Sequence, residues 1–139
     1  MSTPQNPTPQ QLLAALTLSW GPDTALKEDD WIPTVPSLGQ CVPTALVVND
    51  YYGGQIWRAP LPAYARGHYW NVDTLYKTLD FAGGQFVYMN TVPMFEKGER
   101  RTRRELLENP DVQRRYMALS ARVGVWLRWL CQDAAQGGT

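Results

Sequence analysis

Apolar residues recur at helical spacing near both ends of the chain. Thr8 followed by Pro9 is typical of an N-cap and a first helical residue, and the spacing beyond them predicts a helix over residues 9–19. Asn109-Pro110 repeats this signal before a second periodic segment, and residues 99–108 are predicted to form another helix ahead of it. The predicted apolar stripe of the last helix is Val112, Tyr116, Leu119, Val123, Trp126 or Leu127, and Leu130.

The middle of the chain carries a continuous apolar run, "CVPTALVVNDYYGG", at residues 41–54. Its pattern alone fits either a buried helix or a buried strand. Pro43 is tolerated only in the first turn of a helix, and Gly53-Gly54 supplies a left-handed stop. We therefore predict a buried helix over residues 41–52 that begins at Cys41.

Short segments rich in aromatic and β-branched residues follow, and they are typical of strands. They cover residues 55–59, 67–72 and 75–81, with a hairpin turn near Asp73-Thr74, and residues 83–89 fit a fourth strand or a loop. Helices flanking a few antiparallel strands predict an α+β fold, with a small sheet packed against helices.

A chain of 139 residues, 44% of them apolar, is long enough for one domain with its own core. We expect a single domain over residues 8–133, with disorder in the Pro-rich residues 1–7 and in the tail at 134–139. The sequence lacks an export signal and an apolar run of membrane length, so a cytoplasmic protein without a membrane partner is expected. One His, two distant Cys and no phosphate loop predict neither a metal nor another cofactor.

Three residues combine into a candidate mechanism: Cys41, the single histidine His68, and Asp80. A helix N-terminus and a neighbouring imidazole both favour the thiolate form of a cysteine, which is the nucleophile. A hairpin turning near residues 73–74 would place position 80 nearly opposite position 68, where a carboxylate orients the imidazole. Asn71 is the second choice for this role, but it lies three residues from His68 and so points to the other face of the strand.

Other residues are candidates for the surroundings of this site. The backbone N–H of Cys41 is one oxyanion donor, and the Gln40 side chain or another backbone group is a second. Trp31 and Trp70 are candidate pocket walls, as are Trp57 and Tyr69, although packing in a core would explain each aromatic equally well. Cys131, which has no nearby His in sequence, is assigned to packing in the last helix.

Several separated motifs carry a resemblance to a known family. "WxP…GQCxxTALVVxDYxGG", then "GHYWN", then "LDxxxxQF", resembles the YunG-like family of small bacterial proteins, from Trp20 to the Arg-Tyr pair at 115–116. The order of Cys at a helix start, His on a strand and Asp on the next strand is similar to papain-like and transglutaminase-like cysteine enzymes. This wider resemblance implies a papain-like or transglutaminase-like core, with Cys41, His68 and Asp80 as the triad.

The sequence thus favours a cysteine-dependent acyl-transfer enzyme, an amidase, peptidase, deamidase or transferase. Its partner would be a small molecule or peptide with an amide or ester, and nothing in the sequence indicates an oligomeric state. The alternative is a non-enzymatic interaction domain, because residues 97–139 carry nine Lys or Arg against five Asp or Glu, with the run "ERRTRRE" at 99–105. Nucleic acid is disfavoured as its ligand because no aromatic residues are interleaved with these arginines.

Overall fold

The computed structural model describes residues 6–26, 31–61, 64–83 and 97–137, and within them the fold is α+β, as predicted. The helices are α1 (Pro9–Ser19), α2 (Cys41–Tyr52), α3 (Arg103–Leu107) and α4 (Pro110–Gly137). The strands are β1 (Gln55–Leu61), β2 (Tyr64–Val72), β3 (Thr78–Leu79) and β4 (Glu99–Arg101). They form one antiparallel sheet in the order β3-β2-β1-β4.

The first two helices have the boundaries that the sequence predicts. Thr8 caps α1 through a reciprocal capping box with Gln11, and Pro9 is the first helical residue. Helix α2 begins at Cys41 and ends at Gly53, whose φ of 66° lies in the left-handed region. The run that was ambiguous in sequence is therefore a helix, and its residues from Pro43 to Val48 are buried.

The main core lies between α1, α2 and α4. The predicted stripe of α4 is buried at Val112, Leu119, Val123 and Leu127, whereas Trp126 remains 38% exposed. The sequence left residues 126 and 127 as alternatives, and the structure selects Leu127. Cys131 is exposed, so its assignment to packing is wrong: the helix turns this position away from the core that Leu127 joins.

The basic segment differs from its predicted conformation. Residues 99–101 are not helical but form strand β4, which pairs with β1. Helix α3 starts only at Arg103, after Thr102 and Glu105 form a capping box. This reciprocal cap satisfies two backbone donors at the helix start, which outweighs the weak helical tendency of the preceding residues.

The hairpin between β2 and β3 has a longer turn than the sequence indicates. Asp73 and Lys77 close it by a backbone hydrogen bond, and Tyr76 has a positive φ of 62°. The register pairs Asn71 with Leu79, so its continuation places position 80 opposite Trp70 and not opposite His68. Positions 68, 70 and 80 still share one face of the sheet because side chains alternate along each strand.

The structure describes residues at both predicted domain limits. Pro7 is buried, and its carbonyl accepts a hydrogen bond from the Tyr52 hydroxyl at 2.6 Å. Helix α4 continues to Gly137, four residues beyond position 133. Of the segment 83–89, predicted as a strand or a loop, residues 84–89 lie outside the described residues. Within the described ranges, no helix combines the length and apolar character needed to cross a membrane.

Candidate active site

Two buried hydrogen bonds fix the N-terminus of α2 against the end of α1. The indole Nε1 of Trp20 donates to Thr44 Oγ1 at 2.8 Å, and Gln40 Nε2 donates to the Gly21 carbonyl at 2.9 Å. The Gln40 side chain makes no cap for the helix, although Gln40 is the N-cap residue. These bonds hold the first turn of α2, with Cys41 at its start, in place. The backbone N–H groups of this turn receive no hydrogen bond from the Gln40 side chain.

His68 and Asp80 form the most tightly paired polar contact of the site. The imidazole is 0% exposed, and its Nε2 lies 2.8 Å from Asp80 Oδ1 and 2.9 Å from Oδ2. The Asp80 side chain is 19% exposed, and its carboxylate covers one side of the His68 ring. Although Asp80 stands opposite Trp70 in the register, its side chain reaches the ring two residues away on the same face.

Two glycines allow this geometry. Gly67 has a φ of 76°, and a Cβ there would lie 2.4 Å from the Ala59 carbonyl, next to the register shift between Ala59 and Leu61. A Cβ at Gly83 would lie 2.7 Å from Asp80 Oδ2. Residue 67 thus lets β2 bulge immediately before His68, and residue 83 leaves room for the carboxylate.

Cys41 completes the arrangement from the other side of the ring. The thiol is half-buried, and it lies close enough to His68 to act on the electrostatics of the imidazole. Since Asp80 occupies Nε2, a direct contact of the ring with the sulfur would have to be made through Nδ1. The structure therefore brings Cys41, His68 and Asp80 together in the order thiol, imidazole, carboxylate.

The electrostatics favour a charged imidazole. Burial alone would lower the pKa of His68, but the hydrogen bond that its N–H donates to Asp80, the neighbouring Cys41 thiol and the negative charge of both groups raise it to about 9. At neutral pH the ring is therefore an imidazolium, and Asp80 accepts its Nε2 proton. Each partner stabilises the charge that burial would otherwise make costly.

The other predicted site residues are placed as follows. Asn71 is buried and points to the α2 side, where its Nδ2 donates to the Ala45 carbonyl at 2.8 Å, so it connects β2 to α2 and does not orient His68.

Trp70 is buried beside His68, with ring centroids 6.2 Å apart. Trp31 is half-buried and donates to the Pro36 carbonyl within its own loop. Gln40 is fully buried with its amide N–H directed to Gly21, away from the oxyanion role.

Sequence reasoning missed the residues that hold the site in place. Gly67 and Gly83 act through the absence of a side chain, which a motif search for polar groups does not detect. The Trp20–Thr44 bond joins residues 24 positions apart, so only the packing of α1 against α2 reveals it. The signal available for Gly67 was its position directly before the single histidine.

A family model described as YunG protein matches residues 8–127, which include every residue of this site. The match covers most of the chain, so the protein belongs to the YunG family. No curated protein matches the chain at the significance required. No solved structure matches it either.

Proposed function

We propose that this YunG family member is a cysteine-dependent acyl-transfer enzyme in which Cys41 is the nucleophile. The observation that carries the proposal is the full burial of the single histidine between a carboxylate and a half-buried thiol. A protein core gains more from well-packed apolar residues than from such a charged group, so an arrangement of this kind is typical of a catalytic site. The likeness to papain-like and transglutaminase-like enzymes, which the sequence suggested, is part of this proposal.

The proposed reaction proceeds in two stages. The Cys41 thiolate attacks the carbonyl carbon of an amide or ester, forming a C–S bond as the carbonyl electrons move to oxygen. The backbone N–H of Cys41, at the start of α2, is the donor best placed to stabilise this oxyanion. His68 then gives its proton to the leaving nitrogen or oxygen as that bond breaks, which leaves a thioester on Cys41.

The second stage releases the acyl group. Water or an amine attacks the thioester carbonyl while His68, now neutral, accepts its proton, and the sulfur departs as thiolate. Asp80 holds the ring in the orientation in which Nδ1 faces the sulfur in both stages. Hydrolysis and transfer differ only in which nucleophile enters this second stage.

The interaction-domain alternative receives less support from the same residues. Arg103, the centre of the basic segment, is used internally: it donates to the Leu46 carbonyl at 2.9 Å and pairs with Asp50 at 2.8 Å. The arginines that precede it lie on a strand and do not crowd a helix N-terminus. The charge available to an acidic protein or nucleic acid is thus smaller than the sequence suggests.

The proposal is tested by alkylation of the native chain with iodoacetamide at pH 6, followed by mass spectrometry of each cysteine. Cys131 is an internal reference because it is exposed, whereas Cys41 is half-buried. We expect Cys41 to react at least about tenfold faster, since an ordinary thiol with a pKa of about 8.5 is mostly protonated at this pH. Equal rates, or a faster Cys131, would show that accessibility alone governs reactivity and would overturn the proposal.

A further inference from the structure

A cavity of about 430 Å³ lies near the C-terminal end of α2. Its walls include Asn49 of α2, Ile56 of β1, Arg101 of β4, and Thr102 and Arg103 at the start of α3. These residues come from four separate elements, so the cavity is built by the fold and is not a gap between loops. Its volume is within the range of sites that hold small ligands.

Among the described residues, three arginines line this cavity. Arg100 is exposed, and the guanidinium groups of the other two differ in how fully they are paired. Arg103 donates to the Leu46 carbonyl, Asn49 Oδ1 and the Tyr116 hydroxyl, and pairs with Asp50. Its charge is therefore balanced inside the protein, and it forms a fixed part of the wall.

Arg101 has a much weaker partner. Its Nη1 lies 3.4 Å from the carboxylate of Glu99, which is 75% exposed, and donates to the backbone carbonyl of Arg100 at 3.1 Å. Exposed pairs at this distance contribute little free energy, so the Arg101 guanidinium can turn to a ligand at small cost. The cavity thus presents a positive charge held by a strand.

The strand register extends this positive charge toward the catalytic cysteine. Arg58 of β1 is directly opposite Tyr69 on β2 and Glu99 on β4, and Ile56 is opposite Arg101. Directly opposed residues and those two apart share one face of a sheet, so Arg58, Tyr69 and Arg101 lie on the face that carries the cavity.

Tyr69 connects the candidate active site at Cys41 with the cavity beside Arg101. It packs against the same buried cluster as Val42, the residue that follows Cys41. Burial raises the pKa of the Tyr69 hydroxyl, and the charges of Arg58, Cys41 and Arg101 all act on it. Tyr69 is therefore close both to the first turn of α2 and to the charges of Arg58 and Arg101.

We propose that the cavity beside Arg101 is a carboxylate-binding subsite, and that the substrate is an acidic peptide whose acyl group is transferred at Cys41. This inference rests on the proposed function. Residues 41 and 49 are about 12 Å apart along the axis of α2 at 1.5 Å per residue. An extended peptide covers about 3.3 Å per residue, so the carboxylate lies roughly four residues from the scissile bond.

Binding can be measured without turnover, by isothermal titration of the Cys41→Ala chain with blocked peptides. The probes are acetyl-Gly-Gly-Gly-Gly-Glu-amide, its Gln counterpart, and acetyl-pentaglycine with a free C-terminal carboxylate. We expect at least one carboxylate peptide to bind about tenfold more tightly than the Gln peptide, and the preferred one identifies the source as a side chain or a chain terminus. The Arg101→Gln variant should lose this preference.

Arg104→Gln is the matched control, because Arg104 is exposed on α3 and the change removes the same charge. The preference should survive in this variant. Equal binding of charged and neutral peptides, or an equal loss in both arginine variants, would overturn the inference. A carboxylate preference together with an unreactive Cys41 in the native chain would refute the proposed function alone, so the two failures are distinguishable.

Discussion

Replacing His68 with Asn is expected to slow alkylation of Cys41 at pH 6 by at least about tenfold. An ordinary thiol with a pKa of about 8.5 is roughly 0.3% thiolate at that pH, and a neighbouring imidazolium favours the thiolate form of a cysteine. The expected ratio of alkylation rates between the native and His68→Asn chains is smaller than the ratio of their thiolate fractions, because a stabilised thiolate is intrinsically less nucleophilic. Rates are measured with iodoacetamide and assigned by mass spectrometry, with Cys131 as the reference in the same sample.

The pH dependence of the alkylation rate distinguishes loss of the interaction between His68 and Cys41 from unfolding of the chain. Above about pH 9.5 an ordinary thiol is itself ionised, so the variant should react as fast as the native chain or faster. Asp80→Asn keeps a polar group beside His68 and should give a smaller reduction at pH 6. A His68→Asn chain that keeps its helical circular dichroism and alkylates at the native rate at pH 6 would contradict the assignment of His68 as the partner of the thiol.

Gly67→Ala is expected to cost about 2–4 kcal/mol of the free energy of unfolding. The φ of 76° at this position is strained for any L side chain, and the new Cβ would lie 2.4 Å from the Ala59 carbonyl. Relief requires β1 and β2 to move apart at the bulge, directly beside His68. The measurement is urea unfolding, in which the midpoint should fall without a change in slope.

Gly124→Ala is the control for the Gly67 substitution. Gly124 lies within α4, and a Cβ there would meet nothing within 4 Å. Because alanine is a better helix former than glycine, this change should stabilise the chain by about 0.5–1 kcal/mol. A Gly67→Ala chain as stable as the native one would show that the bulge tolerates a side chain and does not fix His68.

Much of the fold could be predicted because local signals agreed with it. The Thr8-Pro9 and Asn109-Pro110 pairs marked helix starts, and Asn109 Oδ1 does accept the Asp111 N–H at 2.9 Å. Strand β4 could not be predicted, since "ERR" has low strand propensity and becomes a strand only by pairing with β1. Tertiary pairing, which a single sequence does not display, decided that conformation.

The members of the candidate site were predictable, but their geometry was not. Cysteine and histidine are scarce in this chain, and Asp80 lies beyond a hairpin turn from His68, so the sequence could single out all three residues. The register that places position 80 opposite Trp70 depends on a turn closed between Asp73 and Lys77. The roles expected of Gln40 and Asn71 depended on side-chain direction, which packing between α1, α2 and β2 determines.

The central claim is that His68, which lies between Asp80 and Cys41, is protonated at neutral pH, and one measurement tests this claim directly. His68 is the only histidine, so a nitrogen NMR titration of imidazole-labelled protein follows a single ring. We predict an imidazolium through neutral pH, titrating at about 9, and a lower midpoint in the Asp80→Asn chain. A neutral ring at pH 7.5 with a midpoint near the ordinary value of about 6.5 would contradict the account.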